Sequence, residues 1–132
     1  MSRAIAHVID ASAILCLLFS ETGADRVTDV IGGAALSAVN YAEILSKLIE
    51  RGAEPVEAVA KLEDLPFTLV PLDRGLAEAA APLRPATRAI GLSLGDRCCL
   101  ALALRPGAVA VTADRALSRL DPALGIAVDL VR

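Results

Sequence analysis

The 132-residue sequence predicts a single α/β domain in which helices cover both faces of a parallel sheet. Short apolar segments with strand character alternate with helical segments along the whole chain, as in a parallel sheet. No internal repeat or long linker divides residues 1–132 into smaller units. Because 55% of the residues are hydrophobic but only 2% are aromatic, we expect a core of aliphatic side chains.

The first half of the chain is predicted to contain two strands and four helices. Thr22, with an acid three residues later, is expected to cap the second helix, and Gly32-Gly33 to end it. Gly52 is expected to end the third helix and Pro55 to begin the fourth. The predicted elements are a strand at 5–9, helices at 13–19 and 22–31, a strand at 34–37, and helices at 38–51 and 55–62.

The second half is predicted to contain three strands, three helices and one substantial loop. Pro82, Pro85 and Gly91 predict that this loop spans about residues 82–93. The predicted elements are a strand at 67–72, helices at 75–83 and 96–104, a strand at 108–112, a short helix at 114–120 and a strand at 126–130.

Charge and cysteine content exclude several classes of protein. A net charge of -3 argues against a protein that coats nucleic acid by bulk charge, but not against an enzyme with a concentrated acidic site. The three cysteines form no CxxC motif, which disfavours disulfides and zinc and indicates a reducing cytoplasm. Cys98 and Cys99 are expected to be buried. No apolar stretch reaches the roughly 18 residues that a membrane span needs.

Four acidic residues stand where a solvated charge is not expected. Asp10 directly follows the first strand and Asp114 follows the fourth by two residues, so both lie at the carboxyl edge of a parallel sheet. Glu43 lies in the first two turns of the helix after the second strand, and Asp96 opens a helix. Each has a simpler explanation alone, since Asp10, Asp96 and Asp114 could cap helices and Glu43 could be solvated. Together they predict a carboxylate cluster.

Such a cluster needs a cation. Two like charges 5 Å apart repel by about 3 kcal/mol at an effective dielectric constant near 20. Mg²⁺ or Mn²⁺ removes this repulsion, because both prefer oxygen ligands, and either cation suits phosphoryl chemistry. No Ser-His-Asp or Cys-His arrangement is evident, and the single histidine, His7, is expected in the core of the first strand.

The four acids occur in the segments VIDASA (8–13), SAVNYAE (37–43), SLGD (93–96) and VTAD (111–114). These segments resemble the signature blocks of PIN-domain ribonucleases, and most closely those of the VapC-type toxins of bacterial toxin–antitoxin pairs. The resemblance extends over nearly the whole chain in order and spacing. It implies a three-layer α/β/α sandwich with about five parallel strands. It also implies Mg²⁺- or Mn²⁺-dependent endoribonuclease activity and a homodimer that is neutralised by a small antitoxin.

The resemblance assigns roles position by position. Asp10, Asp96 and Asp114 would hold the cation directly or through water, and Glu43 would bind a second ion or orient the attacking water. Some relatives have a further acid just after the fourth block, where this chain has Arg115, and this leaves the second ion open. The positions that match supporting polar residues are Thr112, Ser12 and Asn40.

RNA must approach this acidic centre, so basic groups are expected around it. Each candidate has an alternative as solvated surface or as part of an ordinary ion pair. The candidate RNA-binding residues are Arg84, Arg88, Arg97 and Arg115.

Surplus aliphatic segments at 15–19, 45–49 and 56–62 are consistent with a partner surface.

Three other functions compete with the nuclease. A phospho-acceptor receiver domain is also small and acidic at its strand ends, but it has paired acids after the first strand and a lysine after the last. This chain has one acid there, and its lysines, Lys47 and Lys61, lie in predicted helices. A PIN-like binding protein that has lost catalysis remains the other alternative, although the complete acidic quartet argues against it. A dinucleotide-binding module is weaker, since no GxGxxG follows a strand.

Overall fold

The computed structural model describes residues 5–132 and contains five parallel strands in the order β3-β2-β1-β4-β5. The predicted α/β architecture is confirmed. The order differs from the 2-1-3-4-5 order of receiver domains, which removes that alternative. The strands are β1 (His7–Ile9), β2 (Ala35–Ser37), β3 (Thr68–Val70), β4 (Val109–Thr112) and β5 (Ala127–Leu130).

Helices connect consecutive strands, except that 3-10 helices join β4 to β5. The α-helices are α1 (Ala11–Leu18), α2 (Ala24–Ile31), α3 (Ala38–Glu50), α4 (Pro55–Glu63), α5 (Arg74–Ala80), α6 (Leu83–Thr87) and α7 (Leu94–Leu104). The 3-10 helices are Arg88–Ile90, Arg115–Arg119 and Pro122–Leu124, and the second of these is the predicted short helix at 114–120. Among residues 5–132, no helix is both long and apolar enough to cross a membrane.

The sheet separates two aliphatic cores. Successive residues of one strand point to opposite faces, so Val8 packs into one core and Ile9 into the other. Helices α5, α6 and α7 cover the first face, and α1 to α4 cover the second. Cys98 and Cys99 are fully buried on α7, as expected, and Cys16 is buried on α1.

The prediction of a loop at 82–93 is wrong, because α6 and a 3-10 helix occupy most of this segment. Pro85 is compatible with α6 since it lies in the first turn, where its missing N–H has no partner to lose. Leu83 and Thr87 are buried, and the Thr87 hydroxyl donates to the Leu83 carbonyl at 2.7 Å. Packing of this segment therefore overrides the local signal of two prolines. Gly91, with φ of +69°, ends the 3-10 helix at Arg88–Ile90.

Two smaller expectations also fail. Thr22 does not cap α2, because Gly23 occupies that position with φ of +102° and no side-chain cap. A Cβ at Gly23 would collide with the backbone carbonyl of Val131, so close packing of the C-terminal segment requires glycine there. His7 is only partly buried rather than part of the core.

Candidate active site

The carboxyl ends of β1 and β4 form the topological switch point of the sheet. Helical connections leave β1 and β4 in opposite directions, and α/β folds place their ligands at such a point. Asp10 is the first residue after β1, and Thr112 is the last residue of β4. Both side chains are buried, Asp10 with only 2% of its surface exposed.

Three donors fix the Asp10 carboxylate. Its Oδ1 accepts hydrogen bonds from the Ser12 hydroxyl at 2.7 Å and from the Ala13 N–H, which caps α1, at 2.9 Å. Its Oδ2 accepts a hydrogen bond from the Thr112 hydroxyl at 2.5 Å. Asp10 is therefore both a helix cap and a buried charge at the switch point, and the two interpretations of this residue are compatible.

The same two hydroxyls organise the backbone after β4. Ser12 Oγ lies 3.1 Å from Thr112 Oγ1 and accepts a hydrogen bond from the Ala113 N–H at 2.9 Å. Thr112 Oγ1 accepts from the Asp114 N–H, also at 2.9 Å. The main chain that carries Asp114 is thus tied to the residues that hold Asp10.

Burial raises the pKa of Asp10 to about 6, against the lowering effect of its hydrogen bonds from Thr112, Ala13 and Ser12. The negative charge of Asp96 contributes a smaller part of this increase. A carboxylate that is costly to ionise, yet surrounded by donors that favour the charged form, suits a site where a cation supplies the missing charge.

A second group of side chains joins α3 to the start of α7. Ser37 caps α3, accepting from the Asn40 N–H at 3.1 Å and donating to Asn40 Oδ1 at 2.8 Å. This hydrogen bond turns the Asn40 amide nitrogen towards two acceptors, Glu43 Oε1 at 2.9 Å and the Gly95 carbonyl at 3.2 Å. Asn40 therefore holds one oxygen of Glu43 against α7.

Asp96 links the two groups electrostatically. Partial burial raises the pKa of Glu43, the hydrogen bond from Asn40 lowers it, and the charge of Asp96 raises it again. Asp96 therefore lies within electrostatic range of both Asp10 and Glu43. Asp96 also completes a capping box, in which its Oδ2 accepts from the Ser93 N–H at 2.9 Å.

Asp114 lies at the rim of this region rather than within it. Its side chain is exposed, and its Oδ1 accepts from the Ala116 N–H at 2.9 Å, which begins a 3-10 helix. Asp96 is thus within electrostatic range of two other predicted acids, whereas Asp114 caps a 3-10 helix at the same edge of the sheet.

The donor chemistry of the site fits a hard divalent cation. Asp10, Glu43 and Asp96 offer oxygen ligands, whereas burial raises the pKa of the nearby Cys99 thiol well above its usual value and keeps it protonated. Within residues 5–132, no three His, Cys, Asp or Glu side chains already form a complete ligand set. Mg²⁺ does not need one, because it is commonly held by one or two carboxylates and several waters.

The four candidate RNA-binding arginines have no acidic partner within residues 5–132. Three of them are exposed, while Arg97 is partly buried on α7, and its Nε is buried without a hydrogen-bond partner among the described residues. The interpretation of these arginines as members of ordinary ion pairs is therefore not supported. The exposed arginines are Arg84 on α6, Arg88 in the following 3-10 helix and Arg115 after β4.

Sequence reasoning missed two contributors to the site, Ser37 and Gly95. The spacing of Ser37 and Asn40 is an N-cap pattern that could have identified the first. Gly95 carries no local signal, since its importance arises from a contact with α3 that is distant in sequence.

Comparison with known proteins decides the family. The model of the PIN domain matches residues 7–122 of the chain. The chain belongs to the PIN-domain family. No curated protein sequence matches this PIN domain.

Solved structures with this fold include bacterial toxins and their complexes. The PIN domain is similar to a toxin–antitoxin complex from Klebsiella pneumoniae, with 19% identity, coverage of 96% of this chain and 98% of that chain, and a TM-score of 0.70. It is similar to DNA-bound VapBC from Salmonella typhimurium, with 17% identity, coverage of 97% and 99%, and a TM-score of 0.72. A sarcin–ricin-loop-cleaving VapC toxin from Mycobacterium tuberculosis shares 15% identity, with coverage of 88% and 97% and a TM-score of 0.68.

Proposed function

We propose that this PIN domain is a Mg²⁺- or Mn²⁺-dependent endoribonuclease and the toxin of a toxin–antitoxin pair. The observation that supports the proposal is the buried Asp10 carboxylate at the switch point of the sheet, with Asp96 within electrostatic range of both Asp10 and Glu43. A buried carboxylate with a pKa near 6, beside two further acids, favours a bound cation over a role in helix capping alone.

In this proposal Asp10 and Asp96 hold the cation directly or through water, and Asp114 contributes from the rim. When bound, the cation polarises the scissile phosphate and lowers the pKa of a water molecule. Thr112 and Ser12 keep the Asp10 carboxylate in one orientation.

In this proposal Asn40 and Glu43 position the attacking water or a second ion. Asn40 occupies Oε1 of Glu43 and leaves Oε2 to orient the attacking water or a second ion.

The proposed partners are RNA, a cognate antitoxin and a second copy of the chain, in the cytoplasm. Arg84, Arg88, Arg97 and Arg115 would contact phosphates, since none of them is engaged by an acid among the described residues. Exposed apolar side chains offer surface for protein partners. They include Ile49, Val56, Leu69 and Leu72.

The test is cleavage of RNA by the Asp96→Asn variant with Mg²⁺ or Mn²⁺. Asparagine can still accept the Ser93 N–H, so the capping box loses little while the charge is removed. We expect activity to fall by at least about 100-fold. Asp121→Asn is the matched control, because Asp121 also caps a helix, at Pro122–Leu124. Undiminished cleavage by Asp96→Asn would remove Asp96 from the site, and a wild-type protein without activity would favour the PIN-like binding protein.

A further inference from the structure

Glu43 of α3 and Gly95 of α7 meet at the edge of the candidate active site. Gly95 is buried in the first turn of α7. A Cβ at this position would lie 2.6 Å from Cδ and 3.1 Å from Oε2 of Glu43, and nearer still to Oε1. Its three nearest neighbours would all be atoms of that one carboxylate. The Glu43 carboxylate thus occupies the space that a side chain at 95 would need.

Backbone conformation does not explain the glycine. Gly95 is not among the glycines with a positive φ, and glycine is unfavourable inside a helix. Alanine would therefore suit the backbone of α7 better than the residue present. The reason for glycine lies in its contact with α3.

Asn40 holds the same Glu43 carboxylate through a hydrogen bond. Its amide nitrogen donates to Glu43 Oε1 at 2.9 Å and to the Gly95 carbonyl at 3.2 Å. The carboxylate is held between this amide and the bare Cα of Gly95. Displacing it would move Oε1 of Glu43 away from the Asn40 amide that holds it next to Gly95, the residue before Asp96.

We propose that Gly95 is a positioning residue, whose lack of a side chain admits the Glu43 carboxylate to the site beside Asp96. The inference rests on the proposed metal-dependent function, and it goes beyond it by assigning a role to a residue without a functional group. Any side chain at 95 displaces Glu43, because the end of a flexible glutamate yields more readily than the packed start of α7.

The experiment compares Gly95→Ala with Gly32→Ala in the full chain. Gly32 has φ of -62° and no atom within 4 Å of its Cβ position, so it is a control for the added methyl group. For Gly95→Ala we expect an equal or higher Tm without metal, since alanine favours the helix. We expect Mn²⁺ affinity, measured by calorimetry, to fall about 10- to 100-fold. Gly32→Ala should bind Mn²⁺ as the wild type does.

A double-mutant cycle shows whether Gly95 acts through Glu43. In a Glu43→Ala background the space is vacant, so adding Gly95→Ala should cause no further loss of Mn²⁺ affinity. Unchanged affinity in Gly95→Ala alone would overturn the inference, as would a loss that persists in the Glu43→Ala background or accompanies a lower Tm. A wild-type protein that neither binds Mn²⁺ nor cleaves RNA would overturn the proposed function, and the inference with it.

Discussion

Thr112 donates a hydrogen bond to Asp10 across 102 positions of sequence, at 2.5 Å. This contact joins the ends of β1 and β4 at the one place where the sheet reverses its winding. Both residues are buried, so the hydrogen bond is shielded from water and orients the Asp10 carboxylate.

Thr112→Val should destabilise the protein by about 1–3 kcal/mol, because valine keeps the shape but leaves buried hydrogen-bonding groups unpaired. The Asp10 carboxylate would lose a donor, and the Asp114 N–H would lose its acceptor. Urea denaturation measures the loss. Thr68→Val, an exposed position in β3, is the control and should change stability little. Equal stability of the two variants would show that the hydrogen bond contributes nothing.

Asp10→Asn should alter how stability depends on pH in the metal-free protein. The folded pKa near 6 lies above the unfolded value of 3.8, so the folded state retains a proton that the unfolded chain has released between these values. Stability should therefore fall as pH rises from about 4 to 6, by about 3 kcal/mol. Asparagine does not titrate, so the free energy of unfolding of the variant relative to wild type should increase as pH rises from about 4 to 6.

Denaturation at several pH values measures this difference. Parallel stability curves for wild type and Asp10→Asn would contradict the raised pKa. At pH 7, added Mn²⁺ should raise the Tm of the wild type and have a smaller effect on the variant, because ligand binding stabilises only the state that binds.

Arg84→Ala combined with Arg88→Ala should weaken RNA binding and flatten its dependence on salt. Losing two phosphate contacts on a single strand should lower the slope by about 1.4. The control removes two exposed charges elsewhere, Lys61→Ala with Arg74→Ala, and should shift binding less. Binding measured over a salt series distinguishes phosphate contacts from solvated charges. Equal slopes for both double variants would indicate that Arg84 and Arg88 are solvated surface residues.

The elements of the fold were predictable where local pattern and packing agree. The segments that became β1, β2, β4 and β5 are short and mostly apolar, and the predicted segments of the last three each follow a glycine, so their positions could be predicted directly. The segment around Pro82 and Pro85 was misjudged because the burial of Leu83 and Thr87 under α7, a tertiary effect, stabilises a helix there.

The sequence proposed the members of the candidate site but did not indicate their geometry. Asp10, Glu43 and Asp96 were singled out from their positions after strands or at helix starts. The sequence left open whether Asp114 is a metal ligand or a helix cap, because a side-chain rotamer depends on neighbours, and in the structure Asp114 caps a 3-10 helix. For the same reason it did not reveal the part played by Gly95.

By itself, the sequence determined that acidic residues follow strands in an alternating α/β chain, because spacing and hydrophobic pattern are local properties. Only the tertiary structure decided which of them meet. The strand order brings β1 beside β4, and the approach of α3 to α7 brings Glu43 against Gly95. Burial then set the charge state of Asp10, since desolvation depends on the atoms that surround a group rather than on its neighbours in the chain.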